Sequence, residues 1–168
     1  MESFGKLGYD FTPKYIPNNI DYYIPRTSDG STLSRIVRSW VEARSKREQS
    51  WFFFHEALMS DLRDIQGGTT AEGIHLGSMA STVDIIHRCY TGLVIRNDVL
   101  WLNPSFPKEI ESMDLTLYYR GLWLKIYFHK KECKIEASDG ALQPITIGFK
   151  DDKILLKPGA TIIIPIHR

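Results

Sequence analysis

At 168 residues the chain has the length of about one domain, and its 43% apolar and 24% charged residues are those of a globular protein able to bury a core. Its 21 basic residues against 20 acidic ones leave a net charge of +1, so there is no basic excess to drive counterion release on nucleic acid. No apolar run reaches the ~18 residues of a membrane span, and Met1-Glu2-Ser3-Phe4-Gly5-Lys6 lacks the charged-then-apolar order of a signal peptide.

Residues 1–32 are rich in proline and tyrosine, and Pro13, Pro17 and Pro25 argue against a long helix. Tyr9, Phe11, Tyr15, Ile16, Tyr22, Tyr23 and Ile24 are more large apolar groups than a loop can bury alone. The segment therefore reads as an extended connection laid across a helical body, whose usual partner is missing. The helical period begins at Leu33 and continues through Ile36, Val37, Trp40 and Val41, with Ser31 or Thr32 as N-cap. A second helix is expected over about 47–64, with Trp51, Phe54, Leu58 and Leu62 on one face and Phe52 and Phe53 beside it. A third is expected over about 75–90, with Leu76, Met79, Ala80, Val83, Ile86 and Tyr90 inward and Gly92 ending it.

Asn103-Pro104 and Pro107 mark a change of character. Beyond them, Leu115–Arg120 and Leu122–Phe128 flank Gly121 as paired strands. Further strands are expected at Glu132–Ala137, Pro144–Phe149, Lys153–Leu156 and Thr161–Ile166, separated by turn signals such as Ser138-Asp139-Gly140 and Pro158-Gly159. Helices followed by short, punctuated strands give an α+β chain with a helical region at 1–103 and a small antiparallel β-sandwich at 104–168. Cys89 and Cys133 have no metal-ligand spacing and are too few for a disulfide scaffold, which favours reduced, partly buried thiols and a cytoplasmic location.

Two segments carry candidate chemistry. Thr27-Ser-Asp-Gly-Ser-Thr-Leu-Ser34 and Gln66-Gly-Gly-Thr-Thr-Ala-Glu-Gly-Ile-His75 are both rich in hydroxyls and glycine and both lead into helices. A helix start has unsatisfied N–H groups and a partial positive charge, so each segment can receive an oxyanion. Each can equally be a plain turn and cap, with Glu72 capping the third helix and His75 an ordinary first-turn residue. Asp29 weakens the anion reading of the first loop by charge repulsion. His55 and His87 read as satisfied or surface histidines, and Asp61, Asp64 and Asp84 as solvated carboxylates. Trp101 and Trp123 could stack on sugars, although tryptophan in a small domain is more often core. No nucleophile elbow and no phosphate-binding P-loop is present.

The stretch Asp64-Ile-Gln-Gly-Gly-Thr-Thr-Ala-Glu-Gly-Ile-His-Leu-Gly-Ser-Met-Ala80 resembles the C-terminal signature of glycoside hydrolase family 65, which includes maltose, trehalose and kojibiose phosphorylases and some α-glucoside hydrolases. Asp21–Ser34, Arg88-Cys-Tyr-Thr-Gly92, Asp98–Pro104 and Tyr119-Arg-Gly-Leu-Trp123 are similar to other parts of the family pattern, in order. The resemblance implies the last helices of an (α/α)6 barrel followed by a β-sandwich. It also implies inorganic phosphate as co-substrate, held by Ser31, Thr32 and Ser34 of the first loop and by His75 and Gly77 of the second. No metal and no other cofactor is implied.

The family's general-acid Glu and an upstream Lys-Gln segment have no counterpart here, and Asp29 and Ser81 stand where relatives often have His and Gly. Inverting cleavage needs an acid on the leaving oxygen and a nucleophile on the opposite face. The expectation is thus a C-terminal portion of an α-glucoside phosphorylase, inactive alone and completed by an upstream barrel chain or by self-association. A non-catalytic carbohydrate- or phosphate-binding module, and part of an α-glucoside hydrolase with Asp29 positioning water, are the alternatives.

Overall fold

The computed structural model describes residues 8, 12–28, 30–65, 67–129, 131–140 and 143–166. The chain divides into two units, Met1–Thr82 and Val83–Arg168. Tyr9, Phe11 and Asp29, all named above, lie outside the described residues.

The prolines near the N-terminus keep the helices short, as expected, but do not leave the segment extended. Tyr15–Tyr23 forms helix α1 and Ile24–Arg26 a 3-10 turn, where an extended connection was expected. Pro17 falls in the first turn of α1 and Pro25 in the 3-10 turn, positions whose N–H groups have no intrahelical acceptor. Helices α2 (Thr32–Glu42) and α3 (Arg47–Leu58) pack together as a hairpin. Ser39 and Ser50 meet where they pack: each hydroxyl donates to the other's carbonyl oxygen, at 2.8 and 2.7 Å, and both residues are fully buried. Such small residues let the backbones come close while no hydroxyl stays unpaired. Lys46, after α2, pairs with Asp21 of α1 at 2.8 Å. Helix α3 ends at Leu58, short of the expected residue 64, and 59–65 run in turns.

The periodicity locates these helices but misassigns their inner faces. Of the stripe Leu33, Ile36, Val37, Trp40 and Val41, only Ile36 is buried, while Val37 is 56% and Trp40 46% exposed. The buried residues of α2 are Thr32, Ile36, Ser39 and Glu42. On α3, Phe54 is buried but Phe52, Leu58 and also Leu62 beyond it are exposed. Helix α4 (Leu76–Asp84) continues into a π-helical segment, Ile85–Tyr90, and buries Ser78, Thr82, Ile85, Cys89 and Tyr90, leaving Leu76 and Val83 exposed. An amphipathic pattern marks the face that seeks cover; only the available neighbours decide which face finds it.

The second unit is a sandwich of two four-stranded sheets, in strand orders β1-β2-β6-β7 and β3-β4-β5-β8. The strands are β1 (Val94–Arg96), β2 (Val99–Leu102), β3 (Ser112–Tyr119), β4 (Leu122–His129), β5 (Glu132–Ala137), β6 (Ile145–Phe149), β7 (Asp152–Leu156) and β8 (Thr161–Pro165). Strand pairing thus begins before residue 104. All pairs are antiparallel except β2 with β6, which is parallel, so the sandwich departs from the purely antiparallel one expected. Leu100, Leu102, Leu122, Leu124, Ile126, Ile135, Ile147 and Leu156 fill its core with no exposed surface. Arg120 and Gly121, both at positive φ, make the two-residue turn between β3 and β4, and Asn97-Asp98 does the same between β1 and β2. The fold class is α+β, helices first and sandwich second. Cys89 and Cys133 are free and buried, and burial pushes the Cys133 thiol up to about 12.

Candidate functional site

Both hydroxyl-rich segments belong to the helical unit, and the fold brings their helix starts together. Leu33, in the first turn of α2, places its Cδ2 3.8 Å from where a Cβ on Gly77 would sit, in the first turn of α4. Ser31 is the N-cap of α2: its backbone is extended and its hydroxyl accepts from the Ser34 N–H at 3.4 Å. Ser31 is exposed and Ser34 half-buried, whereas Thr32 is buried. The Ser31 hydroxyl is thus engaged as the helix cap, which is the turn-and-cap reading of this loop.

The second loop is built by two carboxylates that sequence reasoning left to solvent. Asp61 binds His75 twice, accepting from its backbone N–H at 2.9 Å and meeting its Nδ1 at 2.5 Å. The His75 side-chain contact, first among several causes, holds the Asp61 carboxyl below the usual carboxylate range. An ionised carboxylate only accepts, so the proton of this pair sits on Nδ1. Among the described residues nothing is bonded to Nε2, which leaves it for a ligand. Asp64, at positive φ, accepts from the Gly68 N–H at 2.6 Å and the Thr70 N–H at 3.3 Å, and these bonds likewise lower its pKa. The signal for this role was the position of Asp61 and Asp64 just ahead of a glycine pair, where an Asx side chain can fold the following backbone.

His75 itself stands at the N-terminal boundary of α4, its carbonyl accepting from the Met79 N–H at 3.0 Å. Gly77, in the first turn, is exposed. Glu72 does not cap α4; it ends a separate 3-10 turn, Thr70–Glu72. Ser78, beside Gly77, is 1% exposed and its Oγ has no hydrogen-bond partner among the described residues, so a further buried donor adjoins the loop. Ser81 turns its hydroxyl back to the Gly77 carbonyl at 2.6 Å, which leaves it satisfied within the helix. Asp84 pairs with Arg88 at 2.8 Å and is not part of this arrangement. Trp101 packs in the sandwich over Gly148, whereas Trp123 is 56% exposed.

The helical unit thus carries two hydroxyl-bearing helix starts that approach through Leu33 and Gly77, and a His75 ring held by Asp61, on helices followed in sequence by a β-sandwich. Residues 1–84 match the glycosyl hydrolase family 65 central catalytic domain and residues 93–156 match the same family's C-terminal domain. The chain belongs to glycosyl hydrolase family 65. It is 40% identical over 163 residues to an uncharacterized glycosyl hydrolase of Mycobacterium tuberculosis, covering 97% of this chain and 12% of that protein. It is 32% identical to trehalose 6-phosphate phosphorylase of Lactococcus lactis, covering 92% of this chain and 20% of the relative. The solved structure of a candidate kojibiose phosphorylase from the human microbiome superposes with a TM-score of 0.80 at 26% identity, covering 95% of this chain and 23% of that one. The chain thus spans only about an eighth to a quarter of the proteins it matches. No helix among the described residues is long and apolar enough to cross a membrane.

Proposed function

We propose that this chain carries the phosphate side of an α-glucoside phosphorylase site, with inorganic phosphate as the nucleophile. Ser31, Thr32, Ser34, His75 and Gly77 are the binding groups. The observation that carries the reading is the clamped His75 at a helix start adjoining that of α2. Two N-terminal turns direct N–H groups and partial positive charge toward one anion, and the hydroxyls add donors. With Nδ1 committed to Asp61, Nε2 either donates to a phosphate oxygen or accepts the proton of hydrogen phosphate. Both states hold the nucleophile in one orientation, which is the main contribution such a site makes to displacement. Thr32 is buried, so it meets phosphate only where the loop adjusts.

The leaving-group oxygen still needs an acid on the opposite face, and we assign that work to none of the described residues. Phosphorolysis therefore requires further helices of the family's barrel, which also cover the exposed stripe of α2 and α3. The names of the trehalose 6-phosphate and kojibiose relatives support an α-glucoside substrate. The test is a titration of the chain with inorganic phosphate, followed by the NMR signals of the His75 ring. Shifts that saturate, and that vanish in Ser31→Ala, are expected, together with no release of glucose 1-phosphate from trehalose, kojibiose or maltose. Silence of the His75 ring toward phosphate overturns the binding assignment, and turnover by the chain alone overturns the need for the barrel.

A further inference from the structure

Tyr118 and Trp123 stand directly opposite each other on the β3–β4 ladder, next to its turn. They are 61% and 56% exposed, with ring centroids 5.2 Å apart and planes tilted by 55°. The outer face on which they sit is otherwise largely polar. Thr116 pairs with Lys125, which pairs with Glu136, and Asp114 pairs with Tyr127, which pairs with Lys134. Lys134 also bonds Glu136 at 2.6 Å. A face destined for burial against another domain would be apolar at these alternate positions. The two rings, together with the exposed Ile163 opposite Lys134, are thus exceptions on a largely solvated sheet, and an exposed aromatic pair is a candidate binding surface.

Beside the rings opens a cleft of about 540 Å³, lined among others by Tyr118, Arg120, Gln143 and Pro144. Arg120 meets the Asp98 carboxylate at 2.5 Å in an exposed ion pair, which leaves other N–H donors for a ligand. Gln143 is exposed and offers both a donor and an acceptor. Of the two rings only Tyr118 lines this cleft, with Trp123 packed beside it, and an aromatic wall with a few placed polar groups is in keeping with a small-ligand site. Among neutral ligands, a pyranose with equatorial hydroxyls fits this combination. Its axial C–H bonds form flat apolar faces that lie on aromatic rings, and its rim of hydroxyls meets the arginine and the amide. The tilt between the rings suits a chain that turns from one sugar to the next, as α-linkages make it do, better than a flat β-linked ribbon.

We propose that this end of the sandwich is a saccharide-binding surface for gluco-configured, α-linked oligosaccharides, with Tyr118 and Trp123 as stacking platforms and Arg120 and Gln143 as hydroxyl partners. It uses none of Ser31, Thr32, Ser34, His75 or Gly77, so its failure and that of the phosphate site are separate results. The experiment is calorimetric titration of the full chain with maltoheptaose, with cellohexaose as the β-linked arm. A dissociation constant of about 1 mM or tighter is expected for maltoheptaose, and at least about tenfold weaker binding for Trp123→Ala and for Tyr118→Ala. Both side chains are exposed, so both variants should keep the wild-type melting temperature. Absence of maltoheptaose binding, equal affinity for cellohexaose, or binding untouched by both substitutions each overturns the proposal.

Discussion

Asp61 shows how much of this site depends on a residue that binds no ligand. Its carboxylate holds both the backbone and the ring of His75, so Asp61→Asn should leave the helices intact while freeing the imidazole to change tautomer and orientation. The amide can still reach one of the two groups but cannot accept from both as a carboxylate does. Phosphate affinity is expected to fall by about tenfold, within the range for loss of an outer partner that orients a binding histidine. Ring NMR should then show both tautomers; an unchanged tautomer and unchanged affinity would refute the positioning role. The pH dependence has a definite sign. A depressed carboxylate pKa contributes stability that is present above the unfolded value of about 3.9 and is lost as pH falls through the lower folded value. The clamp should therefore hold through neutral and mildly acid solution and open only below about pH 4. The two loops were legible in the sequence, because hydroxyls and glycines ahead of a helix are a local signal. Asp61 was not, because its partner lies fourteen positions away in sequence and a carboxylate at a helix end looks the same whether solvated or bonded.

At the level of elements, the sandwich was the readable part. Period-two alternation and turn residues located β3 to β8 to within a few residues. Strands β1 and β2 escaped because they are short and their turn, Asn97-Asp98, lacks the glycine that usually announces positive φ. The parallel pairing of β2 with β6 was equally hidden, since pairing partners distant in sequence leave no local pattern. That pair has a checkable packing detail. Gly148 lies opposite Trp101, and a Cβ at Gly148 would overlap the six-membered ring of the indole. The ring covers the glycine and fills the space its missing side chain leaves. Gly148→Ala should displace Trp101 and destabilise the sandwich by about 1–3 kcal/mol, the usual cost of overpacking. Thermal unfolding followed by circular dichroism should show a melting temperature lowered by several degrees. An unaltered melting curve would mean that the indole is free to move aside and that this contact contributes little.

For the whole molecule, the contrast between the two units is one of completeness. The sandwich encloses a large apolar core, whereas the helical unit buries Ile36, Ala43, Phe54 and Ala57 beside serines, threonines and a glutamate, and leaves Leu33, Val37, Trp40, Val41, Phe52 and Leu76 in water. Full burial of such a side chain contributes about 1.5–3 kcal/mol, so covering this stripe with another surface is favourable. An apolar groove of about 270 Å³ lies between α1 and α2, lined in part by Ile20, Tyr23, Ile24, Val37 and Val41. Further helices of the family's catalytic domain are the occupant we propose, and in their absence copies of the chain should cover one another. Sedimentation velocity of the chain at about 100 µM, where exposed apolar surface drives association, should show species larger than the monomer. Val37→Lys with Val41→Lys places charge on the exposed stripe without touching Ile36, Ser39 or the loops at Ser31 and His75. This variant should sediment as a monomer with unchanged helical content, because surface substitutions away from buried contacts alter stability little. A monomeric wild-type chain at the same concentration would show that the stripe is an ordinary solvated face, and the case for a covering partner would fall with it.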